Sequence, residues 1–174
     1  MSELDEAWES ALAEAKQRAR AAGRTDIEDY LDLRRQNDLL RRTAIDWLMN
    51  TVAMLAGDAN RAGAGIQIER QESHRFTVGH ATMVGRQLTL RNGVRALMVE
   101  SGWPRTPRDG FMRGGGLARG HIKHFGRKRS NAELLLERTA SGRPQWMLIE
   151  PTGTRSPLTE SQIRDHISIL LSES

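Results

Sequence analysis

The chain has 174 residues, of which 38% are hydrophobic and 28% charged, with a formal net charge of +4. That balance fits a soluble globular fold rather than a disordered chain, and no apolar run approaches the roughly 18 residues of a membrane span. Cysteine is absent, which excludes disulfides, thiolate metal centres and a cysteine nucleophile.

The charge is unevenly spread. Residues 1–63 carry 9 basic and 12 acidic side chains, whereas residues 64–174 carry 17 basic and 10 acidic ones. Within 105–129 there are eight basic residues against Asp109 alone. Local polarity of this kind bears on anionic partners rather than on fold. The N-terminal "MSELDEAWES" is acidic and has no apolar signal region, so a cytoplasmic location is expected.

The first part of the chain predicts helices. Leu4, Trp8, Ala11, Leu12, Ala15, Ala19 and Ala22 recur at helical spacing, and Gly23 ends the run. Thr25 to Glu28 spell a capping-box pattern, "TDIE", that opens a second, long helix. Ile27, Tyr30 and Leu31 begin its apolar stripe; Leu40, Ala44, Trp47, Leu48, Val52 and Leu55 continue it. The polar run Arg34–Asp38 between them predicts a bend or break. Gly57–Gly65, "GDANRAGAG", is expected to be a linker.

After it the hydrophobic period becomes two, at Ile66 and Ile68 and again at Phe76 and Val78. "QLTLRNGVRALMV" predicts a hairpin turning at Asn92-Gly93, with Leu90 facing Arg95 and Leu88 facing Leu97. Leu88, Leu90, Leu97 and Val99 then share a core face. A loop at 101–117 contains Pro104 and Pro107, which exclude regular structure. A short strand is expected at Gly120–Phe125, and a second hairpin turning near Ser141-Gly142. Thr159 to Gln162 form another capping-box pattern ahead of a helix with Ile163, Ile167, Leu170 and Leu171 on one face. The expectation is an α+β fold: two N-terminal helices, a mainly antiparallel curled sheet of about six strands, and a C-terminal helix packed on it. The boundaries are 1–56 for the helical segment, 57–65 for the linker and 66–174 for the β-rich domain, forming one compact unit.

No motif identifies a family or a reaction. Gly114-Gly115-Gly116 lack the lysine and strand-to-helix setting of a phosphate loop, so a turned connection is the better reading. His121 and His124 lie three apart on a strand and point to opposite sides. His74 and His80, six apart, lie in another predicted strand stretch. None of the four sits in a familiar ligand pattern, so ordinary hydrogen bonding is expected rather than a metal site, and no cofactor is implied. Ser101 follows Glu100, but neighbours in a strand point apart. Glu100, Asp109, Glu133, Glu137 and Glu150 are expected as solvated or salt-bridged residues.

The basic cluster is the strongest remaining signal. Arg105, Arg108, Arg113, Arg119, Lys123, Arg127, Lys128 and Arg129 supply charge, and Trp103 or Phe111 a surface on which a base could stack. Arg127-Lys128-Arg129 fall at the turn joining two strands. The function expected is a small non-catalytic binding module for nucleic acid or another polyanion. A plain solvated surface is the competing structural account. Two further alternatives stand. One is an assembly factor forming a homo-oligomer through the N-terminal helices, with Trp8, Tyr30 and Trp47 on their apolar stripe. The other is an enzyme using the glycine-rich 110–120 loop as a lid or anion cradle.

Overall fold

The computed structural model describes residues 3–112 and 115–173. Arg113 and Gly114, and the side chains of residues 3–6, Leu4 among them, and of Trp8, lie outside what is described. The chain divides into two units, 1–40 and 41–174.

The first unit holds helix α1 (Glu3–Ala21) and the beginning of helix α2 (Thr25–Arg61). They are joined at Gly23, whose φ of +70° suits a residue without a Cβ. Three ion pairs link the helices: Lys16–Asp32, Arg20–Glu28 and Arg35–Glu9. Tyr30, Leu33 and Leu39 are more than half exposed. Contrary to expectation, α2 passes unbroken through Arg34–Asp38. Arginine and glutamine are good helix formers, so a polar stretch interrupts the apolar stripe without interrupting the hydrogen bonds.

In the second unit α2 continues through Gly57 to Arg61. The first half of the stretch expected as linker is therefore helical, and the turn occupies only 62–65. Seven strands follow: β1 (Gln67–Val78), β2 (Ala81–Asn92), β3 (Arg95–Trp103), β4 (Ala118–His124), β5 (Ala132–Arg138), β6 (Pro144–Ile149) and β7 (Arg155–Pro157). They form one antiparallel sheet in sequential order, β1 to β7. Helix α3 (Glu160–Leu171) closes the chain behind a capping box in which Thr159 Oγ1 accepts from the Gln162 amide. The short β7 makes seven strands where about six are expected; three residues ending in proline carry no period.

The first hairpin keeps the expected faces with a different register. Asn92 pairs with Arg95, Leu90 with Leu97 and Leu88 with Val99, so Gly93-Val94 form the turn rather than Asn92-Gly93. Only Gly93 has positive φ, at +62°, which is what a turn with glycine at its first central position requires. A shift of two residues preserves side-chain alternation, so Leu88, Leu90, Leu97 and Val99 still share the core face. All four are at most 1% exposed.

Both helices of this unit cover that face. Buried Leu48, Val52 and Leu55 of α2 and Ile163, Ile167 and Leu170 of α3 complete the core with Ile122, Leu134 and Leu136. Each such large apolar side chain removed from water contributes about 1.5–3 kcal/mol before its entropy cost. Trp146 of β6 donates its indole N–H to the Ala44 carbonyl of α2 at 2.9 Å. The opposite face curls on itself. Backbones approach closely at Gly85 of β2, paired with Gly102 of β3. A Cβ on Gly85 would lie 1.8 Å from the Ser101 carbonyl oxygen, so no other residue fits.

Candidate functional site

Strand β4 alternates strictly, with Ala118, Gly120, Ile122 and His124 buried and Arg119, His121 and Lys123 partly exposed. The first set faces the helices. The second lies in a row on the curled face, which also receives Glu100 of β3, opposite His121 in register.

Two local irregularities bring β1 to the same place. Gln71 pairs with Gln87 but His74 pairs with Gly85, so β1 carries one extra residue between them. This bulge turns His74 onto the curled face; in an unbroken ladder it would point to the helices. Its partner Gly85 has no side chain, and His74 reaches over the gap, across β2, to Glu100 on β3.

Glu100 is the hub. It is 2% exposed. Its Oε2 lies 2.8 Å from His74 Nε2, and its Oε1 lies 2.9 Å from His121 Nδ1 and 3.0 Å from Lys123 Nζ. Burial by itself would raise this carboxyl, but the hydrogen bonds from His121, His74 and Lys123 outweigh it and hold the group down at about 2. The ionised carboxylate only accepts, so each imidazole donates to it. His74 then presents Nδ1 and His121 presents Nε2 to other partners. Phe76 stacks on His74 at 5.6 Å between ring centroids and meets His121 edge-on at 5.8 Å. The two imidazoles are therefore fixed in tautomer by one carboxylate and in plane by one phenyl ring.

The seven described basic residues of 105–129 are distributed over separate places. Arg119 and Lys123 stand on the curled face. Arg105 lies over the Trp103 ring at 3.6 Å, and Arg41 approaches the same ring at 5.7 Å. Trp103 points to the helix-covered face and is 4% exposed, so it offers no stacking platform. Arg127 is used at the C-terminus of α3. It donates to the Ile169 carbonyl at 3.0 Å, the Ser172 hydroxyl at 2.8 Å and the Ser172 carbonyl at 3.2 Å. Arg108, Lys128 and Arg129 are exposed on two separate single-turn helices, Pro107–Asp109 and Lys128–Ser130. Phe111 is 82% exposed.

The long loop is shorter than expected, since β3 runs to Trp103, and it is pinned at Asp109. That carboxylate accepts from the Thr106 and Arg105 amides, each at 3.0 Å, which holds its pKa below the usual range. Glu100 and Asp109 are thus the salt-bridge partners expected, to Lys123 at 3.0 Å and to Arg75 at 3.7 Å, but buried ones. The partners of Glu100 are distant in sequence and no local pattern reveals them, whereas Asp109 closes a local capping box with Thr106. Ser101 is buried on the helix side, its hydroxyl unpartnered, and so is turned away from Glu100 as alternation requires.

His121 and His124 point to opposite sides, as expected. His124 meets His166 of α3, Nε2 to Nδ1, at 2.8 Å, with the rings stacked 5.1 Å apart. Burial, then the neighbouring His166 and Arg127, lower the His124 pKa to about 4. His80 lies beyond the end of β1, in the turn to β2, so it does not share a strand with His74. Among the described residues no three histidine or carboxylate side chains gather as a metal site, and no helix is long and apolar enough to cross a membrane.

Glu100 as a hub escaped sequence reasoning. Its one available signal was the pair Gly85 and Gly102, each isolated in a strand pattern, which marks a close backbone approach. Comparison with family models, with curated proteins and with solved structures returns no match to this chain.

Proposed function

We propose that this chain is a non-catalytic binding module for an anionic partner, whose negative group is held on the curled face above β4. The observation that carries the reading is the row Arg119, His121 and Lys123, with His74 brought alongside by the bulge. Glu100, the buried carboxylate beneath, already has both oxygens occupied by His74, His121 and Lys123. Its charge offsets Lys123, and the five N–H donors of Arg119 can serve an anion alongside the guanidinium's other contact. Guanidinium N–H groups are suited to carboxylate or phosphate oxygens. Of the wider 105–129 cluster, Arg105 and Arg127 are engaged in structural contacts, which argues against the whole segment acting as one polyanion surface.

The five histidines give an internal control. Inorganic phosphate, titrated into the full chain and followed by imidazole NMR, should move His74 and His121 first. His124 and His166, on the helix side, should stay still. Equal movement of all five, or none up to saturating phosphate, refutes the reading. An RNA homopolymer tried in parallel tests the polyanion version, which requires a steep loss of affinity with salt.

A second reading, self-association, is favoured by the exposure of Tyr30, Leu33 and Leu39 in the first unit. A monomer by light scattering at high concentration removes it.

A further inference from the structure

A pocket of about 250 Å³ opens on the curled face, lined by Val78, His80, Met83, Phe111, Met112 and Arg119. It adjoins the Glu100 cluster in two ways. Arg119 is two residues from His121 on the same face of β4. Met83 pairs across the sheet with Phe76, which in turn packs against both imidazoles. The walls are chemically divided. Val78, Met83, Phe111 and Met112 are apolar, and the two thioethers adapt to ligands of varied shape. Arg119 brings the fixed positive charge, and its five N–H donors can serve a ligand carboxylate alongside another contact.

We infer that this pocket binds a small organic monoanion, an unbranched or aryl carboxylate with its apolar body against Met83, Met112 and Phe111 and its carboxylate at Arg119. The inference rests on the anion-binding reading and specifies the partner's chemistry. The volume is below that of a drug-sized ligand site and suits a body of about eight carbons. A nucleic acid would have no use for a thioether-lined cavity beside a single guanidinium. It would need a row of basic contacts, and the described basic residues are dispersed.

The test uses the full chain labelled with [methyl-¹³C]methionine. Of seven methionines, Met83 and Met112 line the pocket, and the others serve as controls. The probes are octanoate, acetate and octan-1-ol. Octanoate should shift the Met83 and Met112 methyl signals and bind at least about tenfold more tightly than acetate, a gain that burying only two methylenes already provides. It should also bind at least about tenfold more tightly than octan-1-ol, because the alcohol forgoes a charge-assisted hydrogen bond. Arg119→Leu should abolish the preference for octanoate over octan-1-ol and leave the alcohol's binding unchanged. Phe111→Ser alters only an exposed side chain, so the fold is retained, and octanoate binding should weaken several-fold. Octanoate and octan-1-ol binding equally to the unmodified chain overturns the inference, as do shifts confined to other methionines. If phosphate moves His74 and His121 but octanoate binds no better than acetate, the anion-binding reading survives and the pocket assignment fails. If RNA binds and octanoate does not, the partner is a polyanion and the assignment is again wrong.

Discussion

Acid should loosen the contact between α3 and the sheet, and the size of the effect follows from His124. In the folded protein this imidazole is 5% exposed and sits against His166 at 2.8 Å, with Arg127 nearby. Asp165, on α3 beside His166, opposes the trend by favouring a proton on His166, yet burial keeps that imidazole's pKa below its ordinary value as well. The His124 pKa falls from 6.5 to about 4. The folded value lies below the unfolded one, so between these limits the unfolded chain binds more protons. Stability is therefore fully present above pH 6.5 and declines as the pH falls toward 4. The difference between 6.5 and about 4 corresponds to roughly 3 kcal/mol. Urea unfolding of the full chain from pH 7.5 to pH 4 measures it directly. His124→Gln costs stability at neutral pH through lost packing, but the relevant quantity is the difference between the two proteins. That difference should shrink by up to about 3 kcal/mol across the window. If the variant keeps the full acid slope, or the parent protein has none, the account of the buried imidazole pair is wrong.

Two other perturbations probe the curled face. Glu100→Gln should remove a separate acid limb: the folded pKa is about 2 against an ordinary 4.5, so the stability involved is present above pH 4.5 and lost as the pH falls through 2. At neutral pH the variant should lose about 2–3 kcal/mol, since a buried amide cannot accept from two imidazoles and an ammonium at once. Imidazole ¹⁵N shifts should show His74 and His121 no longer fixed in one tautomer, and unchanged shifts would contradict the hub. Gly85→Ala would drive a methyl into the Ser101 carbonyl and the Gly102 Cα, at 1.8 and 2.6 Å. Backbone on both sides cannot yield, so the cost should reach about 3 kcal/mol, the upper end for overpacking. The melting temperature should fall by roughly 6–12 °C, and the coupling of His74 to Glu100 should be lost. A melting point within a degree of the parent would refute the steric argument.

Much of the fold is legible locally. Apolar residues at helical spacing in α2 and α3, the Thr159–Gln162 capping box, the alternation around Leu88 and Leu97 and the glycine at position 93 each specify their element through neighbouring residues. Period and turn chemistry act over a few positions, so a linear reading captures them. The same reading places His121 and His124 on opposite faces, because alternation follows from the pleat itself. Element limits fared less well. The polar run in α2 reads as a break, and Gly57 reads as a linker, where helical hydrogen bonds in fact continue.

The site was a different matter. Glu100, His74 and His121 come from three strands, and nothing in their spacing links them. A single extra residue in β1 decides which face His74 occupies, and whether that residue is accommodated as a bulge depends on the pairing of β1 with β2. Gly85 and Gly102 let the strands approach, yet only the curl of the assembled sheet shows what passes over the gap. The basic cluster teaches the converse. Its charges are adjacent in sequence, but the pleat and the turns send Arg105 to Trp103, Arg127 to the end of α3 and Lys123 to Glu100. Sequence alone determined how much charge this region carries and which elements bear it. The tertiary structure determined which of those charges meet, because convergence in space depends on strand order, register and curl rather than on distance along the chain.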